Sequence, residues 1–190
     1  MPIMLQPRDF ISEVEGFDSV LVVSCSMCPP MSMAMQTETP FIELFKHGVK
    51  TPVFEKYIQS VCDQMKEHGI RTDVFTSRLP TPLMCVWTEG QRQRLLDHAK
   101  GFDAVLVLGC SSAVKTVEDA LRDIDCPVFL GMRMKGIANG KIVIKPPMNI
   151  HIRKVVPPEK SDFKPCEQPC EADIDATNEA KHVANQSRTS

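Results

Sequence analysis

Two apolar runs dominate the hydropathy pattern of this chain, and they are near copies of one another. Residues 16–26 read GFDSVLVVSCS and residues 101–111 read GFDAVLVLGCS. Each has a Gly, an aromatic, an Asp, a run of Val and Leu, and then Cys-Ser. A short, continuous, Val-rich run of this kind predicts a strand buried on both faces. Between and after the runs the period changes. In residues 52–68 (PVFEKYIQSVCDQMKEH) Val53, Tyr57, Val61 and Met65 recur every four positions, which predicts a helix with Pro52 in its first turn and Gly69 ending it. Residues 70–76 read as a further strand. Residues 88–99 read as a helix starting at Thr88, with Leu95, Leu96 and Ala99 inward. A helix over 112–122, with Val114, Val117 and Leu121 on one face, follows the second copy, and 126–131 reads as the last strand of the series. Residues 41–47 suggest a short helical turn. The stretch CSMCPPMSMAMQTETP after the first copy holds too much Pro and Met to predict a plain helix. Asn139-Gly140 predicts the turn of a hairpin within 136–145.

Strands alternating with helices imply parallel pairing with right-handed crossovers. The expected class is α/β, a small Rossmann-like three-layer sandwich with a mostly parallel sheet, a C-terminal hairpin and a tail. The domain spans residues 1–156. From 157 to 190 seven Asp or Glu stand against four Lys or Arg, with few large apolar residues. That composition predicts a disordered tail or an extended arm on a partner.

Composition removes several function classes. The chain has 190 residues with a formal net charge of −2, so bulk attraction to nucleic acid or to an anionic membrane is not expected. One Trp and one Tyr make a poor base-stacking surface. No apolar run reaches the roughly 20 residues of a bilayer span. The opening MPIMLQPRDF lacks the regions of a signal peptide, so a cytoplasmic location is expected.

Eight cysteines change the picture. In a reducing compartment clustered thiols point to metal binding or redox chemistry rather than disulfides. Cys25 and Cys110 end the two copied strands, at the sheet edge where ligands of α/β proteins bind. Cys28 follows Cys25 in a CxxC, and a helix N-terminus at such a turn lowers a thiol pKa. Cys85 lies in the loop after the 70–76 strand, which leaves the same edge. Cys25, Cys28, Cys85 and Cys110 are therefore the candidate ligands of one metal centre. Four thiolates suit zinc or an iron–sulfur cluster. Cys62 and Cys126 read as core residues. Cys166 and Cys170 in the tail make a poor site alone. Cys25, Cys28, Met31, Met33 and Met35 form a soft-donor set of the kind that binds Cu(I), although methionines at this density more simply fill a contact surface. His47, His68 and His98 lie at predicted helix ends or exposed faces and lack ligand spacing. Neither copied strand is followed by a Gly-rich phosphate loop.

These cysteines carry a resemblance. Val20–Cys28, Leu83–Cys85 and Asp103–Ser112, the last reading D-A-V-L-x-x-x-C-S, resemble the C-terminal domain of methylenetetrahydrofolate reductases. They also resemble its stand-alone small-subunit relatives in anaerobes. A weaker likeness continues through CPVFLGMRMKG, so that residues 18–150 are covered. The resemblance implies a thiolate-ligated zinc or iron–sulfur centre held by Cys25, Cys28, Cys85 and Cys110. It also implies a larger, flavin-bearing oxidoreductase or methyl-transfer subunit as partner in one-carbon metabolism. The family continues its CxxC with a further cysteine and a Gly-Gly pair. This chain reads PPMSMAMQTE there, so a second centre is not expected.

The function expected is that of a non-catalytic accessory subunit of a redox or one-carbon complex. It would bind a single centre for electron relay or structural coupling. A 4Fe-4S cluster is favoured by the long apolar loops, and zinc is the alternative. A dithiol oxidoreductase using Cys25 and Cys28, and a Cu(I) protein using the Cys/Met set, are the competing readings.

Overall fold

The computed structural model describes residues 3–155. The acidic segment from 157 onward, with Cys166 and Cys170, lies outside the described residues. Strand β1 (Ile3–Pro7) and a short α1 (Ile11–Val14) lead into β2 (Ser19–Ser24), the first copied run. Next come α2 (Cys28–Gln36), β3 (Ile42–Glu43), α3 (Leu44–His47) and the long α4 (Pro52–Glu67). Strand β4 (Arg71–Phe75) opens a loop containing a 3-10 turn, Met84–Val86, before α5 (Glu89–Ala99). The second copied run is β5 (Ala104–Leu108), and α6 (Ser111–Ala120) follows it. The described chain closes with β6 (Val128–Leu130), β7 (Met132–Ile137), β8 (Gly140–Lys145) and β9 (Asn149–Lys154).

The chain is α/β. A parallel sheet of four strands, ordered β4-β2-β5-β6, forms its centre, and the two copied runs are neighbours in it. Both are completely apolar inside because both faces are covered. Val20, Val22, Ala104, Leu106 and Leu108 face one core with Phe54, Ile58, Val61 and Met65 of α4. Leu21, Val23, Val105 and Val107 face the other with Leu95 and Ala99 of α5 and Ala113 and Val117 of α6. No helix among the described residues is long and apolar enough to cross a membrane.

The sheet register differs from the repeat register by one residue. Aligned as sequence, Ser19 matches Ala104 and Cys25 matches Cys110. Paired in the sheet, Val20 faces Ala104 and Ser24 faces Leu108. Because side chains alternate along a strand, a one-residue offset sends matching positions to opposite faces. Val22 belongs to the α4 core while its counterpart, Val107, belongs to the α5–α6 core.

Several sequence expectations are corrected. The CxxC is followed directly by a regular helix, α2, despite Pro29 and Pro30. Prolines are compatible with a helix's first turn, where their missing N–H would have had no partner. Asn139-Gly140 does not turn a hairpin within 136–145. Strand β7 turns back to pair antiparallel with β1, a strand the sequence reading missed, and β8 pairs with β9 instead. The C-terminal hairpin therefore turns at Pro146–Met148. On α4 the buried residues are Phe54, Ile58, Val61, Cys62 and Met65, so the inward stripe is turned by one residue at its start from Val53 and Tyr57.

Candidate metal centre

Each candidate cysteine is placed by a different local device. Cys25 continues β2 by one residue. Its N–H donates to the Leu108 carbonyl at 3.1 Å, so the strand pairing reaches the cysteine itself. Opposite it stands Gly109, where a Cβ would lie 2.7 Å from the Ala113 Cβ and 3.6 Å from the Cys25 Cβ. Only a residue without a side chain lets α6 and β2 approach so closely here. Cys110 is then the N-cap residue of α6, its carbonyl accepting from the Ala113 and Val114 N–H groups at 2.9 and 3.1 Å.

Cys28 is the first residue of α2. That helix is fixed to β1 through Ser32 Oγ, which accepts from the Leu5 N–H and donates to the Ile3 carbonyl, both at 3.0 Å. Gln36 adds an amide donation to the Leu5 carbonyl at 2.8 Å. The β1 strand thereby holds the helix that carries Cys28.

Cys85 sits on the exposed side of the 3-10 turn, between buried Met84 and exposed Val86. The loop that carries it is gripped by α5. Gln91, completely buried, accepts from the Thr88 N–H at 3.2 Å and donates to Ser77 Oγ at 3.0 Å and the Thr81 carbonyl at 2.8 Å. Arg94 donates to the Leu79 carbonyl at 2.9 Å, and Arg92 to the Trp87 carbonyl at 3.4 Å. These loop-holding residues were not found from sequence. The only trace of them was Thr88-x-x-Gln91, a capping-box spacing whose Gln also reaches into the preceding loop.

Cys25 lies in one buried cluster with Met84, Cys28 packs against the other, and Cys110 packs against both. Burial pushes the Cys28 thiol up to about 11, and charge at Cys25, Cys110 and Cys85 acts on it in the same direction. Burial likewise raises Cys25, with a smaller contribution from Cys110. The backbone N–H groups of Met84, Met27 and Cys28 act against this and favour the Cys25 thiolate. The expectation that the turn would lower the Cys28 pKa is thus reversed, because desolvation outweighs the helix-terminus field. Among the described residues no three His, Cys, Asp or Glu side chains already stand as a metal-gripping set.

The other cysteines lie apart. Cys62 is buried on α4, and the Cys126 thiol donates to the Phe102 carbonyl at 3.8 Å, at the opposite end of β5 from Cys110. His47 stands 3.6 Å from Glu43, and His98 2.9 Å from Asp73. The helical form of 28–36 separates the methionines. Met31 and Met35, one turn apart, share a side, whereas Met33 packs into the α4 core. Two buried polar atoms near the thiols have no hydrogen-bond partner among the described residues: Ser26 Oγ, inside the CxxC, and Trp87 Nε1, two residues after Cys85. No family model matches this chain, and no curated protein or solved structure matches it.

Proposed function

We propose that Cys25, Cys28, Cys85 and Cys110 hold one metal centre at the carboxyl edge of the parallel sheet, and that the chain is an accessory subunit of a redox or one-carbon complex. The α/β arrangement is read as a Rossmann-like three-layer sandwich. The observation that carries the reading is the packing at that edge: Cys25 lies in one buried cluster with Met84, the neighbour of Cys85, and Cys110 packs against that cluster, while Cys28 and Cys110 both pack against the cluster on the other face of the sheet. Mutual repulsion of four thiolates is what a bound cation relieves.

The residues present suit such a group. Backbone N–H groups already point at the Cys25 sulfur. The Ser26 hydroxyl, buried without a partner, is a donor for which a bound thiolate or sulfide is the natural acceptor. Met27, Met84 and Trp87 provide an apolar wall. A 4Fe-4S cluster is favoured over zinc on these grounds, since apolar burial and hydrogen bonds to sulfur are the levers that tune a cluster. When bound, such a cluster supplies one-electron transfer. Exposed Cys85 and Val86 leave one side of the site open to a larger subunit, in keeping with the resemblance to the reductase small subunits.

The competing readings fit less well. A dithiol oxidoreductase needs a nucleophile with a depressed pKa, and both Cys25 and Cys28 are raised. A Cu(I) site needs Met31, Met33 and Met35 on one side of α2, and the helix divides them.

Anaerobic purification with iron, zinc and sulfide analysis tests the proposal. The wild-type chain should carry one centre per molecule, with broad absorption near 400 nm if it is iron–sulfur. Cys110→Ser should lose most of it, and Cys62→Ser should keep it. Full metal content in Cys110→Ser would show that the two copied strands do not share a site.

A further inference from the structure

We infer a second binding site, for a small oxyanion-bearing molecule with two or more negative charges, in the hollow between β9 and the turn after α2. This inference is independent of the metal centre. Residues 127–156 contain six Lys or Arg and no Asp or Glu, in a chain whose overall charge is slightly negative. The fold gathers part of that charge. The β8–β9 register pairs Lys141 with Arg153 and Val143 with His151, so Lys141, Lys145, His151 and Arg153 share one face of the hairpin. A cavity of about 540 Å³ is lined by Lys145, His151, Arg153 and Lys154 together with Met35 and Ile152.

Among the described residues Lys145, Arg153 and Lys154 make no ion pair, whereas Lys46, Lys50, Lys66, Lys100 and Lys115 each do. Two acidic groups stand nearby. Glu38 itself lines the hollow, and Glu43 acts on His151 from β3. Neither lies within 4.0 Å of Lys145, Arg153 or Lys154. Lys145 and Arg153 together hold the His151 imidazole below its usual pKa, after the larger effect of desolvation. A volume of this size belongs to the range of small-molecule sites. Arg153 supplies a planar fork suited to two oxygens of a phosphate or carboxylate, and the lysines supply point charges. Met35 gives the ligand's uncharged part an apolar neighbour.

Calorimetric titration of the full chain with pyrophosphate and, separately, with citrate tests this. Binding should be saturable at one site and should weaken as salt rises. Lys145→Gln and Arg153→Gln should each weaken it about tenfold, the loss of one charge-assisted hydrogen bond. Lys100→Gln, just past the end of α5, should leave it unchanged. Tighter binding of pyrophosphate would mark a phosphate ligand, and tighter binding of citrate a carboxylate one. No saturable binding of either probe at millimolar concentration would overturn the inference. So would equal weakening by Lys100→Gln, which would reduce the effect to overall charge.

Discussion

Tyr57 is the single tyrosine of the chain, which makes it a spectroscopic label for its own environment. Its hydroxyl is buried on α4 without a hydrogen-bond partner, and burial pushes its phenol up to about 12. An unfolded phenol titrates near 10. Between those values the folded chain keeps a proton that the unfolded chain has released. Stability is therefore undiminished below about pH 10 and falls as pH rises through 12. Absorbance at 295 nm should show a midpoint close to 12 in the native protein and near 10 in concentrated denaturant. Tyr57→Phe should remove this pH dependence and raise stability by about 1 kcal/mol, because an unpaired buried hydroxyl is lost. A denaturation curve showing clear destabilisation would mean that the hydroxyl has a partner. The thiols differ from one another at the same scale. Among the cysteines of the described residues, Cys85 should alkylate first in metal-free protein, being exposed, and Cys25 last, as peptide mapping after brief iodoacetamide treatment would show.

At the scale of elements, the helices and strands with strong period were legible: α4, α5, α6 and the four parallel strands lie within a residue or two of where the pattern put them. The strand ends placed Cys25 and Cys110, and the loop after β4 placed Cys85. What escaped the sequence was pairing across distance. Nothing in MPIMLQPRDF announces that β1 will meet β7 some 130 residues later and hold α2 through Ser32. The same holds for Gln91, a polar residue in a polar stretch whose burial depends on the Ser77–Thr81 backbone closing over it. Gln91→Ala should cost about 2 kcal/mol through the unpaired groups it leaves, and it should lower metal content more than its effect on the melting curve predicts. Gly109→Ala acts at the opposite wall. The added methyl meets Ala113 at 2.7 Å, so α6 must shift, at about 1–3 kcal/mol in denaturant titration.

For the whole molecule, the proposed ligands join loops that leave three different strands, so occupancy of the centre should act as a staple on the sheet. Binding to the native state alone adds about 2.7 kcal/mol when the ligand is a hundredfold above its Kd, and for a domain of this size each kcal/mol is about 2–4 °C. Stripping the metal under anaerobic conditions should lower the melting temperature by more than about 5 °C, and Cys110→Ser should be insensitive to the treatment. A different kind of fastening governs how β2 and β5 lie against each other. Because each is apolar on both sides, sliding one past the other by a single residue would still set apolar surface against apolar surface. Hydrophobicity alone therefore does not choose between two alignments. The choice falls to a polar latch at the strand tips. Asp103 accepts from the Ser19 N–H at 2.9 Å and from its hydroxyl at 2.7 Å, and its own N–H donates to the Ser19 carbonyl at 3.1 Å. The Asp103 latch sits at the end of the sheet farthest from the thiols. It determines which residue of the second run stands opposite Cys25, and so whether a glycine or a cysteine occupies that place.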